Sequence, residues 1–384
     1  MANIDDVARL AGVSTATVSR ALRGLPTVTE QTRARVASAA ATLGYVASPS
    51  ASRLAGGRTG SVGVVVPWIT RWFFATVAAA AEEALHPAGW DVLLYNLGGR
   101  AQARERLFYT QALRKRVDAV ILVTLPLTDN ETAELAKLRV PGVIVSSGTR
   151  VPGWPTIGID DRVAARTATE HLIALGHRRI AHITGNPSDQ LDFTTHLDRR
   201  QGYHDALHAA GLVPDPALDV DAEFTITGGA RATRELLRRG EPPTAIFAAC
   251  DEMAMGAMRV LRETGLRVPD DISVIGIDDH DLAAVLGLTT VAQPAAEQGR
   301  LAADTVLERL LDGAAVTITG PLPTSLVVRD STAPPGAGGV PGRRSAGGGM
   351  ADTDVALRSA RGPTRAAGSR RAAGSRRAAG AAGE

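Results

Sequence analysis

The chain has 384 residues, room for two or three compact units, and its 45% hydrophobic and 21% charged residues are the balance of an ordinary soluble globular protein. A net charge of +2 hides an asymmetry: residues 1–60 carry seven arginines against three acids, residues 331–384 nine against three, and the stretch between 26 basic against 34 acidic residues. A single cysteine, Cys250, excludes an internal disulfide or a cysteine-cluster metal site, Asp5 and Asp6 stand where a secretory leader would be basic, and no uncharged apolar run approaches the roughly 18–20 residues that span a bilayer, so a cytoplasmic protein without a membrane partner is expected.

The first elements are helices. Asn3 suits a cap for a helix through Ala11, with Asp5 and Asp6 at its positive end and Ile4, Val7, Ala8 and Ala11 on one apolar face. Gly12 supplies the backbone freedom of a tight turn. A second helix, Thr15–Leu22, turns Val18, Ala21 and Leu22 inward and leaves Thr15, Ala16, Thr17, Ser19 and Arg20 outward. A third follows the cap Thr29 and runs to Gly44. The outward face of the second helix has short side chains that let a backbone approach base edges, and Arg20 suits a bidentate contact to guanine. The hydroxyls of Ser14, Thr17 and Ser19, with Arg23, suit phosphates. A basic head before an acidic body points the same way.

The run Ile4 through Leu22, with Thr29 through Tyr45, closely resembles the headpiece of the lactose-repressor (LacI/GalR) family. The resemblance implies a homodimer reading a roughly palindromic double-stranded operator. Ser48-Pro49 opens a segment of about eight residues, too short to be a stable helix by itself. In the resembled family this hinge folds on DNA and wedges a leucine into the minor groove, here Leu54. The chain departs from the family at Ala47 and Ser52, with Arg53 as the neighbouring cation.

Beyond the hinge, β-branched runs at Ser61–Val66, Trp90–Tyr95, Asp118–Val123, Gly142–Val145, Arg179–Thr184, Thr244–Ala249 and Ile272–Ile277 predict strands. They alternate with helical runs such as Ala75–Leu85, Arg162–Leu175, Arg199–Ala210 and Met253–Thr264, which predicts α/β units with parallel sheets. Gly63–Pro67, Leu175–Ile180, Asp251–Gly256, Gly276–Asp279 and Gln293-Pro294 resemble the family's two-lobed core, itself similar to periplasmic sugar-binding proteins.

The domain reading is therefore a helix-turn-helix head at 1–46 and a hinge at 47–60. A two-lobed, effector-binding and dimerising core follows at 61–330, with a disordered Gly/Ala/Arg-rich tail at 331–384. The first lobe takes about 61–160 and 290–320, the second about 161–289 and 321–330. The tail is either inert or adds nonspecific attraction to DNA, and it lacks a leucine heptad that would join dimers.

The resemblance implies an effector cleft between the lobes. Phe73 and Phe74 suit stacking, Arg199 a fork onto hydroxyls or a carboxylate, and Asp278 and Gln293 polar groups. Asp251 serves either the ligand or a helix cap. Where the family often has Asn-Pro-Phe-Phe, this chain has Arg71-Trp72-Phe73-Phe74, and Ser146 and Cys250 stand in place of a common aspartate and asparagine. These changes weigh against a simple pentose or hexose and predict a more apolar, aromatic or anionic effector, with a sugar-like one as the alternative. No phosphate loop, catalytic triad or metal motif is present, so neither enzyme activity nor a cofactor is expected. His177 and His182 read as packing residues. Repression is the family's common outcome; an activator of the same build, or less so a solute receptor, is the alternative.

Overall fold

The structure, a computed structural model, describes residues 2–22, 24–45, 58–109, 112–146, 151–186, 194–311 and 320–336. Arg23, Arg53, Leu54 and nearly all of the hinge and tail lie outside these residues.

Three helices build the head: α1 (Ile4–Ala11), α2 (Thr15–Leu22) and α3 (Glu30–Leu43). Asn3 Oδ1 accepts from the Asp6 amide at 2.9 Å while Asp6 Oδ2 accepts from the Asn3 amide at 3.0 Å, a reciprocal cap that fixes where α1 begins. Gly12 takes φ +64° at the turn, a conformation costly for any residue with a Cβ. Val7, Ala11, Val18, Ala21, Val28 and Val36 close a small core between the helices. Leu22, expected inward, is 36% exposed, because the small core closes on Val18 and Ala21 and Leu22 is the last residue of α2.

The body has two lobes, each an α/β sandwich. The first holds β1 (Ser61–Val66), α4 (Trp72–Leu85), β2 (Asp91–Asn96), α5 (Ala101–Tyr109), β3 (Ala119–Val123), α6 (Asp129–Leu138), β4 (Gly142–Val145) and β5 (Thr156–Ile157). Its parallel sheet runs β2-β1-β3-β4-β5. The second holds α7 (Asp161–Ala174), β6 (Ile180–Gly185), α8 (Thr195–Ala209), β7 (Asp219–Ala222), α9 (Ile226–Leu236), β8 (Ala245–Ala248), α10 (Asp251–Glu263), β9 (Ser273–Asp278), α11 (Ala283–Leu286) and β10 (Thr289–Ala292). Helix α12 (Ala295–Leu311) returns to the first lobe, and β11 (Ser325–Val327) completes the second sheet as β11-β10-β9-β8-β6-β7, with β11 antiparallel to β10.

Central strands read as unbroken apolar runs because helices cover both faces; every residue of β3 is buried. Val62, Val64, Ile121 and Val143 pack beneath α4 and α12, and Ile183, Ile246 and Val274 beneath α9 and α10. The chain passes between the lobes at 158–160, 293–294 and 320–324, where Ile159 bridges Leu322.

Two boundaries move. Residues 289–292 pair with β9 and β11, so the returning segment of the first lobe begins at α12 rather than at 290. The core also continues past 330: Ser331 Oγ accepts from the Thr289 amide at 2.8 Å and donates to the Val274 carbonyl at 2.6 Å. His177 Nε2 sits 2.9 Å from the Ala333 carbonyl. These bonds order a polar stretch that has no apolar pattern to reveal it.

Candidate functional site

On α2 the structure leaves Thr15, Ala16 and Arg20 exposed and Thr17 and Ser19 half-buried. The surface is low, with Arg20 as its long projecting donor. Ser14, also exposed, has its hydroxyl 2.9 Å from that of Thr17 and accepts from the Thr17 amide at 3.2 Å. The pair caps α2, holding the exposed residues at the start of a rigid helix.

A cavity of about 190 Å³ lies between the lobes at the carboxyl ends of the parallel strands, where open α/β sheets place ligands. Of the effector residues expected from sequence, the structure brings Arg71, Phe73, Phe74 and Ser146 to its first-lobe wall and Arg199, Cys250, Asp278 and Gln293 to the other. Thr124, Ser146 and Asp278 adopt φ of +43°, +48° and +140°, so strand ends facing the cleft carry backbone strain.

Two expected residues are not in the lining. Trp72, the first residue of α4, stacks on His280 of the second lobe, ring centroids 5.2 Å apart. Asp251 is fully buried at the start of α10, with Oδ1 accepting from Thr290 Oγ1 at 2.7 Å and Oδ2 from the His280 amide at 2.9 Å. Gly276 makes room for this carboxyl, since a Cβ there would lie 2.1 Å from Asp251 Oδ1. Of the two roles open to Asp251 from sequence, the structure shows a tie between α10, β10 and the loop after β9. The cap position itself falls to Cys250.

Arg199 is buried and already engaged. Its Nε and Nη2 lie 2.8 and 2.7 Å from Asp161 Oδ1, and its Nη1 donates to the Ala249 carbonyl. It positions the wall of the cavity instead of offering an empty fork. Asp278 Oδ1 accepts from Gln293 Nε2 at 2.6 Å, Gln293 Oε1 from Gln298 Nε2 at 3.2 Å, and Gln298 Oε1 from Ser146 Oγ at 2.9 Å. This buried chain joins the lobes across the 293–294 crossing. Burial raises the Asp278 pKa above the carboxylate range against the pull of Arg199, and burial with the neighbouring Asp278 raises Asp251 further. Burial also raises the Cys250 thiol well above its ordinary value, which keeps it protonated and a poor nucleophile.

Sequence reasoning missed Trp68, Phe224 and Glu252, which also line the cavity. Glu252 stood beside Asp251 in a recognised run, and only its place in the first turn of α10 shows that it faces the cleft. Arg71 closes the mouth: its guanidinium lies 4.1 Å from the Trp68 ring centroid, and Nη1 donates to the Phe224 carbonyl across the cleft at 2.8 Å.

A head that presents α2, carried on two sheet lobes with a ligand-sized cleft, is the build of a regulator that reads DNA with one part and a small molecule with another. Residues 3–48 match the bacterial regulatory proteins, lacI family, and residues 169–332 match a periplasmic binding protein-like domain. The chain is 37% identical over 339 residues to the HTH-type transcriptional regulator GalR of Escherichia coli (strain K12), covering 87% of this chain and 97% of that protein. The lac repressor dimer bound to operator and the anti-inducer ONPF superposes with a TM-score of 0.75 at 31% identity, over 86% of this chain and 99% of that one. A transcriptional regulator CelR–cellobiose complex gives 0.64 at 35%, over 86% and 100%. The chain belongs to the lacI family of bacterial regulatory proteins. It is a DNA-binding transcriptional regulator with an effector-binding body.

Proposed function

We propose that the protein represses transcription as a homodimer on a roughly palindromic operator and that a small molecule between the lobes sets its grip on DNA. Each head lays α2 in a major groove, with Thr15 and Ala16 against base edges and Arg20 on a guanine. Ser14, Thr17, Ser19 and Arg23 hold phosphates, and Arg53 and Leu54 engage the minor groove between the heads. The observation that carries this reading is the capped, exposed face of α2 in the same chain as a strained, aromatic-walled cleft. A complex of a relative with cellobiose supports a sugar-like effector. The protein acts by binding and works in the cytoplasm, where its DNA is; among the described residues no helix is long and apolar enough to cross a membrane.

Selection of bound sequences from random duplex DNA, with and without candidate metabolites, tests this. A symmetric site with a flexible pyrimidine–purine step at its centre is expected. Removal of residues 1–58 abolishes its binding and leaves ligand binding intact. Absence of any sequence preference over bulk competitor in every ligand state overturns the reading.

A further inference from the structure

The charges around the cavity are unequal in their freedom. Arg199 is spent on Asp161 and the Ala249 carbonyl, and Arg71 on Phe224 and the face of Trp68. Three of the four lining carboxylates are also engaged: Asp161 by Arg199, Asp278 by Gln293, and Glu223 by Arg231 at 3.3 Å. The fourth, Glu252, lines the cavity and, among the described residues, receives no hydrogen bond.

Facing it is an aromatic wall. Phe73 and Phe74 meet edge to face with centroids 5.6 Å apart, Trp68 lies 6.2 Å from Phe74, and Phe224 lines the cavity from the second lobe. This wall already holds a cation, the Arg71 guanidinium over Trp68. An anionic effector entering here meets engaged arginines and a carboxylate that no hydrogen bond engages among the described residues, whereas a cation meets ring faces and an acceptor.

Resting on the reading of this cavity as the effector site, we infer that the effector carries a positively charged nitrogen, an amine or amidine, seated against Glu252 and flanked by Phe73, Phe74 and Phe224. Glu252 is then the residue that sets ligand charge preference, and Arg71 is the protein's own competitor for the same field. Burial pushes the Glu252 carboxyl up to about 7, although the Arg71 charge pulls it down: Arg71 is held on Phe224 and Trp68 and gives Glu252 field without a hydrogen bond. A bound cation supplies it. Phe73 and Phe74 give the apolar contact, and Ser146, Asp278 and Gln293 are left for hydroxyls or ring nitrogens on the remainder of the molecule.

The test uses the full-length chain and two matched trios of probes at neutral pH: benzylamine, benzyl alcohol and benzoate, then glucosamine, glucose and glucuronate. Calorimetry is expected to rank cation above neutral above anion within each trio, with at least about tenfold between the ends. Glu252→Gln is expected to remove the cation's advantage while changing neutral affinity by less than about threefold. Arg71→Ala, a second and independent variant, is expected to widen the cation-to-neutral ratio. An anion that binds tightest, ratios that Glu252→Gln leaves unchanged, or no saturable binding of either cation below about 10 mM overturns the inference. Operator selection on the same preparation separates the two failures: a protein that selects DNA but shows no preference for cations refutes the charge assignment alone.

Discussion

Arg71 and Trp72 replace the Asn-Pro of the family's common pattern, and both reach across the cleft. Arg71→Ala removes a bond from a charged donor to the Phe224 carbonyl at 2.8 Å. Such bonds contribute about 1.5–3 kcal/mol when desolvated, and half-burial discounts this to about 1–2 kcal/mol. The cation–π contact with Trp68 lies within the first lobe and does not enter the difference between open and closed. The ratio of closed to open lobes should therefore fall about 5–30-fold. Adding Trp72→Ala removes the stack on His280, worth a further 0.5–1.5 kcal/mol or so. Dyes on cysteines introduced at Glu105 and Arg238, both exposed and on opposite lobes, report the inter-lobe distance by single-molecule energy transfer. Distance distributions of the single and double variants that superpose on that of the parent would refute the assignment of these residues as cross-cleft ties.

Other consequences are as specific. Asp251→Ala strands the Thr290 hydroxyl and the His280 amide in the core, a cost of about 2–4 kcal/mol; differential scanning should show a loss of about 5–10 °C with effector affinity within about threefold of the parent. Arg20→Ala should cost about 1–3 kcal/mol of operator affinity and relax preference at one base pair per half-site in a binding selection. His177 is buried and its pKa is lowered by that burial, so the native state holds a neutral ring that the unfolded chain protonates first. Its stabilising share is present above the ordinary histidine value and is lost as pH falls through it. Protection of the Ala333 amide from exchange, taken relative to the intrinsic rate at each pH, should fall between about pH 7 and about pH 5, and His177→Phe should flatten that dependence.

The head was legible almost residue by residue because its signals are local. Asn3, Gly12 and Thr29 cap or turn helices through neighbours three or four positions away, and the bounds of α2 follow directly from the pattern. Most buried strands were legible as apolar runs, since central strands covered on both faces need no alternation; β10, four residues beginning with two buried threonines, was not. Edge strands β5, β7 and β11 were not, for two to four residues carry little pattern and their pairing is decided by partners far along the chain. Helix α12 escaped notice because it earns its place by docking on α4, where Gly299 lets the helices approach; a Cβ there would lie 2.3 Å from the Val77 carbonyl. The cavity shows the same division. Phe73, Phe74 and Asp278 could be named from motif, but Arg199 closing on Asp161, and Asp251 turning away from the cleft, are tertiary facts separated by tens of residues.

The two sides of the cleft differ in a way that bears on how a ligand could move the lobes. At the crossing, Asp278, Gln293, Gln298 and Ser146 form a buried chain whose bonds satisfy one another, with Gln298 wholly enclosed. Opening there strands several polar groups at once, each at about 1–3 kcal/mol. At the mouth, the ties are Arg71 to Phe224 and Trp72 to His280, both half-buried on the Arg71-Trp72 side and each replaceable by water at smaller cost. A rotation of the lobes is therefore expected to pivot at the crossing and swing at the mouth. A ligand shifts the balance only through contacts that differ between the two states. For such a rotation, those contacts are expected where the gap changes most, at Arg71, Phe224 and Glu252, while Asp278 beside the pivot should keep nearly the same surroundings in both. On the proposed reading of the cleft as the effector site, Asp278 is expected to hold the ligand in both states and the mouth residues to convert its presence into a lobe angle.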